Sequence, residues 1–398
     1  MYSWLRRALV FDSMAGRPQI IMDKYPNTVP SNLERNDIAD IPPEFLLSTY
    51  SYDLAPELIA HSPAEHRDQS KLLLIDRNTG ELEHRLFFEL PSLLTDGDVL
   101  VINETQVIPA SLKGKKTTGG AVQILVLDPA SVEHPPDDPL APAHRLCLFR
   151  ASGRIRAGSV IKLNDGVDLV FQKSVGPGKA LLTFPVSELD FLNFLMKYGS
   201  PPLPPYIRQD PSLNVDAKKR YQTVYARVPG SIAAPTAGLH FTDQTILALE
   251  KRGVKILRIT LHVGPGTFIP IRRRDIRLHK MEPESYCIPD SAADFLDECV
   301  QSQRRIIAVG STCLRALEAS YNPDKGFTKG LQTTDLFVSP GYKFKVVKGM
   351  VTNFHLPEST LLTLVCAFAG TETILNAYKM AILNNYRFYS YGDSCFIL

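Results

Sequence analysis

Residues 306–320 read Ile306-Ile-Ala-Val-Gly310-Ser-Thr-Cys-Leu-Arg315-Ala-Leu-Glu318-Ala-Ser320. The first four are apolar without a break, which suits a strand buried on both faces. Gly310 ends it, Ser311 and Thr312 offer hydroxyls to a first turn, and residues 311–320 carry a helix. The alternation continues on either side. Residues 243–253 read as a helix with a Lys251-Arg-Gly253 stop, residues 254–261 as a strand, and residues 291–304 as a helix. Residues 350–370 read as strand or loop, turn and helix. Pro357 presets its backbone angle there, and Ser359 or Thr360 can cap the apolar run that starts at Leu361. Strands alternating with helices imply an α/β layered domain with some parallel pairing.

A different pattern interrupts this one. Residues 122–127, 145–149, 159–163, 167–171 and 180–184 are short apolar runs separated by Gly, Pro and Asp turns, with no helical period between them. That is the signature of a small antiparallel barrel or sandwich. A proline-rich loop, residues 129–142, is inserted in it. Upstream, residues 71–85 read as a β-hairpin around Asn78-Thr-Gly80, and residues 98–102 as a buried strand. The expected organisation is a loop-like extension at 1–45, an α/β domain at 46–110 and 190–398, and an inserted all-β barrel at 111–189. The extension reflects either a start placed upstream of Met14 or Met22, or a surface-packed segment.

At 398 residues the chain can bury a large core. Its net charge of +2 neither demands nor excludes nucleic acid, so an RNA site must be a local patch. The six cysteines form no Cys-x-x-Cys and do not cluster with the nine histidines. Zinc, iron–sulfur and other metal sites are therefore not expected, and a reducing cytoplasm fits best. No apolar run approaches the ~20 residues of a membrane span.

Four polar turns carry candidate chemistry. Ala234-Pro-Thr236-Ala-Gly238-Leu-His240-Phe-Thr242 places His240 just before a helix that Thr242 can cap. Thr260-Leu-His262-Val-Gly264-Pro-Gly266-Thr267 follows a strand, without the third glycine and helix of a dinucleotide fingerprint. Gly310 to Glu318 puts Arg315 and Glu318 on one helix face, as an ion pair or as a grip on a polar ligand. Asn353 and His355 stand ahead of a capped helix, whose dipole should keep the imidazole neutral. Strand alternation would point both to one side, with Phe354 behind. Each turn alone also has a structural reading, a capped or hydrogen-bonded turn. All four should meet at one edge of one sheet. Basic residues cluster at Lys113, Lys115 and Lys116 and at Arg272, Arg273 and Arg274, as a solvated face or as phosphate contacts.

Asn353-Phe-His355-Leu-Pro357-x-Ser359-Thr360-Leu-Leu resembles the signature of the S-adenosylmethionine:tRNA ribosyltransferase-isomerase family of queuosine synthesis. Further blocks follow in that family's order. They include Tyr52-Asp-Leu-Ala-Pro, Arg67-Asp-x-Ser-Lys, Val101-Ile-Asn-Glu-Thr-Gln-Val, Tyr221-Gln-Thr-Val-Tyr225-Ala, the His240 and His262 turns, Val309-Gly-Ser-Thr-Cys-Leu-Arg315 and Tyr386-Arg-Phe-Tyr-Ser-Tyr-Gly-Asp393. The resemblance spans about residues 50–398. It implies an α/β domain with an inserted barrel, S-adenosylmethionine as substrate rather than cofactor, and tRNA with a GUN anticodon as acceptor. It also implies a monomer. In the implied reaction the ribosyl part is transferred to 7-aminomethyl-7-deazaguanine and isomerised, giving epoxyqueuosine, while adenine and methionine leave. His240, His262, His355 and Asn353 then become catalytic candidates. Tyr225, Thr236, Gly238, Gly264, Gly266, Thr267, Arg315, Glu318, Pro357, Ser359, Thr360 and Asp393 become substrate contacts, and the two basic clusters RNA contacts. Departures from the family pattern fall at Glu104, Gln106, Ser111, Gln123, Glu282 and Lys348. The alternatives are a diverged paralogue that uses S-adenosylmethionine on another acceptor, and a non-catalytic RNA-binding protein.

Overall fold

A computed structural model describes residues 41–127, 140–164, 166–204, 207, 220–264, 266 and 271–398. A nine-stranded sheet organises the chain. Its strands run, in spatial order, Gly330–Thr334, Glu284–Ile288, Lys255–Leu261, Val99–Asn103, Ile306–Val309, Val347–Asn353, Ser394–Ile397, Lys71–Ile75 and Leu82–Leu86. The four from Lys255–Leu261 to Val347–Asn353 are mutually parallel. The two at the centre of these four, Val99–Asn103 and Ile306–Val309, are apolar almost throughout, as strands covered on both faces must be. The carboxyl ends of all four share one edge, which places His262, Glu104, Gly310 and Asn353 along it.

Both faces of the sheet are packed. Met350 and Phe354 join one core with Tyr378 and Phe388, while Val351 joins the other with Phe87, Tyr225 and Phe241. The helices Asp290–Gln301, Gly310–Ser320, Thr360–Ala369 and Thr371–Leu383 bury apolar faces in the first core. Ser359 caps Thr360–Ala369 by accepting from Leu362 N at 3.2 Å, and Thr242 caps Asp243–Lys251 by accepting from Thr245 N at 3.1 Å. The hairpin expected at 71–85 is present as Lys71–Ile75 paired with Leu82–Leu86.

The inserted all-β unit is a closed barrel of six strands, one more than the apolar runs suggest. The extra strand is Ser111–Lys116, paired with Ala121–Val126 and Ser159–Leu163. Three lysines and a glycine hide it from a hydrophobicity reading. Gly114 is needed because a Cβ there would lie 2.6 Å from Lys162 O on the neighbouring strand.

The loop-like reading of 1–45 needs correction at its end. Pro43–Phe45 forms a 3₁₀ turn, Leu46 bridges Asp275, and Arg277 lies over the Phe45 ring at 4.6 Å. Residues 1–40 lie outside the described residues. Among those described, no single helix is long and apolar enough to cross a membrane. The pair Thr360–Ala369 and Thr371–Leu383, bent by 114°, has the apolar length together but packs in the core.

Candidate active site

The strongest polar constellation is built on His240. Residues Thr236–His240 form a 3₁₀ turn that lies over the carboxyl edge of the sheet. The His240 ring stacks on Phe87, with centroids 5.1 Å apart. Its Nδ1 is 2.7 Å from Ser70 Oγ, and its Nε2 is 3.1 Å from Asn353 Nδ2. Asn353 Nδ2 also donates to Tyr389 O at 3.3 Å. A carbonyl only accepts, so this contact fixes the amide orientation. Asn353 therefore donates to Nε2, and Nδ1–H donates to Ser70 Oγ, which donates to Arg67 O at 3.2 Å. One tautomer is locked by this chain. Asn353 Oδ1 stays buried without a hydrogen-bond partner among the described residues. Burial, then the charges of Arg387 and Arg67, lower the His240 pKa to about 3. The ring is neutral at pH 7.

His262 marks the other end of the edge. Its Nδ1 is 2.8 Å from Thr105 Oγ1, and burial lowers its pKa to about 4. A Cβ on Gly230, whose φ is +152°, would lie 2.6–2.8 Å from the ring, so only glycine fits beneath it. Sheet strands lie about 4.8 Å apart, so the three steps between the His262 and Asn353 strands span about 14 Å. His240 and His262 can flank one elongated ligand.

His355 departs from the expected arrangement. The strand ends at Asn353, so its alternation does not reach residue 355. The His355 ring turns back to Thr352 Oγ1, 2.8 Å from Nε2. Tyr378 OH accepts from His355 N at 3.0 Å, and Tyr52 OH donates to His355 O. Asn353 and His355 thus serve opposite faces. Burial lowers the His355 pKa to about 3. His355→Ala should cost about 1–3 kcal/mol of stability through the orphaned Thr352 hydroxyl and the lost packing. Turnover per folded molecule should change little. Urea titration and single-turnover rates on one sample check this, and a hundredfold slower stable protein would contradict it.

These buried histidines also set a pH dependence. In the unfolded chain each binds a proton near pH 6.5, in the folded chain only near pH 3–4. The unfolded state therefore holds more protons between those limits, and stability must fall as pH falls below about 6.5. Each group contributes up to about 1.4 kcal/mol per pH unit within its window. Denaturation at pH 7.5 and 5.5 should show the loss, and equal stability at both would contradict the burial of all three.

The remaining expected contacts divide. Tyr225 OH and Thr223 Oγ1 are buried without a hydrogen-bond partner among the described residues, and a Cβ on Gly238 would fall 2.1 Å from Tyr225 OH. Thr312 Oγ1 and Arg315 Nη2 are likewise unsatisfied. Thr236 begins the His240 turn and Pro357 precedes the Ser359 cap, while Thr360 is the buried first residue of its helix. Arg315 does not pair with Glu318. It forms a buried ion pair with Glu284 and donates from Nε to Leu336 O at 2.9 Å. Glu284 Oε1 accepts from Gly264 N at 2.9 Å, which ties the His262 turn to this pair. Glu318 accepts instead from the backbone of Lys345, Val346 and Val347 at 2.8–3.0 Å, a structural role. Asp393 accepts from Lys71 N at 3.0 Å and Arg387 N at 2.7 Å, so it shapes the site from behind. A Cβ on Gly266 would lie 3.6 Å from Glu282 Cβ, and Thr267 lies outside the described residues.

Lys113, Lys115, Arg272, Arg273 and Arg274 are exposed, and Lys116 is half-buried with Nζ donating to Arg154 O at 3.3 Å. Of the departures, Glu104 is buried and pairs with Arg227 at 2.9 Å, and Glu282 pairs with Lys179 at 2.6 Å, joining barrel to sheet. Gln106, Ser111 and Gln123 lie on strands, and Lys348 is an exposed residue of the Val347–Asn353 strand. No group of three or more His, Cys, Asp or Glu among the described residues is placed to hold a metal ion.

Ser70, Phe87, Arg67, Arg387 and Glu284 were not among the expected site residues. Ser70 and Arg67 sit in one matched block, Arg67-Asp-x-Ser-Lys, and that block is the only signal for them. Nothing local marks Phe87 or Glu284.

A family model described as queuosine biosynthesis protein matches residues 47–397. The S-adenosylmethionine:tRNA ribosyltransferase-isomerase of Geotalea uraniireducens is 44% identical, over 88% of this chain and 99% of its own. That of Syntrophomonas wolfei is also 44% identical, over 89% and 97%. The S-adenosylmethionine tRNA ribosyltransferase structure of Thermotoga maritima is 32% identical over 88% of this chain and all of its own, with a TM-score of 0.49. With the matched region running through every strand of the main sheet and both histidine turns, the chain belongs to the queuosine biosynthesis protein family.

Proposed function

We propose that this protein transfers the ribosyl part of S-adenosylmethionine to 7-aminomethyl-7-deazaguanine in tRNA with a GUN anticodon. Isomerisation leaves epoxyqueuosine on the RNA and releases adenine and methionine. The observation that carries the reading is the locked Ser70–His240–Asn353 chain, with an unsatisfied amide oxygen, at the carboxyl edge of a parallel sheet in a member of this family. That edge is where open α/β sheets bind ligands.

S-adenosylmethionine lies along the edge between His240 and His262. The unsatisfied groups of Tyr225, Thr312, Arg315 and Asn353 are the donors and acceptors that a polar ligand would engage there. His240 takes a proton at Nε2 once a substrate group displaces the Asn353 amide. Ser70 keeps Nδ1 protonated and the ring aimed. A ring whose pKa sits near 3 is a weak base, and an incoming anion would raise it. His262 holds the far end of the ligand. The barrel lysines Lys113, Lys115 and Lys116 and the Arg272–Arg274 run contact RNA phosphates. The enzyme acts as a cytoplasmic monomer without a bound metal or organic cofactor. The barrel, 111–189, is a separate domain for RNA.

Digestion of precursor tRNA after incubation with the protein and S-adenosylmethionine tests this. Epoxyqueuosine nucleoside should appear in the digest. Unchanged precursor base with intact, bound S-adenosylmethionine would overturn it.

A further inference from the structure

We propose that the cleft walled by Arg67, Arg220 and Arg387 is an anion subsite for the phosphodiester backbone of the single-stranded RNA bearing the target base. It rests on the tRNA reading above and names where that RNA enters.

The cleft lies beside the catalytic candidates, since His240 and Ser70 line it together with Pro63, Leu239 and Tyr391. Three arginines line it. Two are held by backbone carbonyls: Arg67 Nη1 donates to Leu239 O at 3.1 Å, and Arg220 Nη2 to Ala64 O at 2.5 Å. The Ala64 carbonyl orients the Arg220 guanidinium without cancelling its charge. Arg387 Nη2 is 3.5 Å from Asp393 Oδ1, a long contact to a carboxylate that also accepts from Lys71 N. Among the described residues, three arginines and no acidic side chain line the cleft, so positive charge dominates it, and both Arg67 and Arg387 act on His240 through space.

The charge argues for RNA over S-adenosylmethionine. The latter carries a sulfonium and an ammonium against one carboxylate, so its single net positive charge is repelled. One carboxylate is satisfied by one bidentate arginine. A nucleotide chain brings a phosphate at each step and suits several guanidiniums. The tyrosine and the apolar lining residues supply a surface on which an unstacked base can rest. A phosphate here would bring the modified base against the His240 and Asn353 end of the edge, where the ribosyl group must be received.

Binding of an anticodon stem–loop RNA and of S-adenosylmethionine is measured separately for wild type, Arg220→Gln, Arg387→Gln and Arg387→Lys, across a salt series. Each glutamine variant should weaken RNA binding and flatten the log–log salt slope by about 0.7, the single-strand value for one phosphate contact. S-adenosylmethionine affinity should stay within about twofold, and Arg387→Lys should keep most of the slope. Arg220 donates to the Ala64 carbonyl rather than to a carboxylate, so Arg220→Gln serves if the Arg387 variants fold poorly. Unchanged RNA slopes in both glutamine variants would overturn the subsite alone. A loss confined to S-adenosylmethionine would reassign the cleft to its carboxylate. Wild-type protein that ignores the stem–loop would overturn the tRNA reading and the subsite with it.

Discussion

His240→Ala should lower the single-turnover rate by about 10²–10⁴-fold at saturating substrates, the usual share of positioned proton transfer. The side chain is buried, stacked on Phe87 and held at both nitrogens, so its position is set before substrate arrives. Little in this arrangement serves folding alone. The hydroxyl of Ser70 can bond Arg67 O without the imidazole, and Asn353 keeps its contact to Tyr389 O. Ser70→Ala should cost less than His240→Ala, because it frees the tautomer but leaves the ring in place. It should act on turnover more than on S-adenosylmethionine affinity. Rapid-quench measurement of adenine release on both variants checks the order. A His240→Ala protein with turnover within threefold of wild type would remove the residue from the chemistry.

Glu284→Ala should destabilise the fold by about 3–5 kcal/mol, because it leaves Arg315 charged and unpaired in the interior. Both side chains of the pair are nearly inaccessible, at 6% and 3% exposure. A loss of that size is a large part of the 5–15 kcal/mol that holds a typical domain together. Replacing both by leucine should recover much of the loss, since no lone charge remains. The pair also anchors Gly264 N, so the double variant should regain stability without regaining S-adenosylmethionine affinity. Urea denaturation of the single and double variants gives the comparison. A single variant less than 1 kcal/mol below wild type would mean that water reaches Arg315.

Most of the fold is legible in the chain. Ile306–Val309 is an unbroken apolar run, and a run of that kind has only one place to go in an α/β protein. The caps at Thr242 and Ser359 are local chemistry and are readable for the same reason. The Ser111–Lys116 strand is not legible, because its exposed face carries lysines and its pairing depends on a glycine that only the neighbouring strand explains. The site is legible as residue types but not as geometry. The convergence of the His240, His262, Arg315 and Asn353 turns follows from parallel strands ending at one edge. Their partners do not follow. Glu318 and Glu284 are both acidic and near Arg315 in possible folds, and only the sheet order decides that Glu284 pairs. The alternation rule fails at His355 because it holds only while the backbone stays extended, and the strand stops at Asn353. Arg67 and Arg387 sit in separate blocks of the family resemblance and Arg220 in none, so nothing in the chain signals that the three share a cleft.

The central claim is that one bound S-adenosylmethionine loses adenine and methionine while its ribosyl carbons move to the tRNA base. S-adenosylmethionine labelled separately in the adenine ring, the methyl group and the ribose, incubated with the protein and precursor tRNA, reports each fragment. The account predicts adenine and methionine released in equal amounts and the ribose label on the RNA, with all three signals lost together in His240→Ala. Methyl label on the RNA with release of S-adenosylhomocysteine would contradict it.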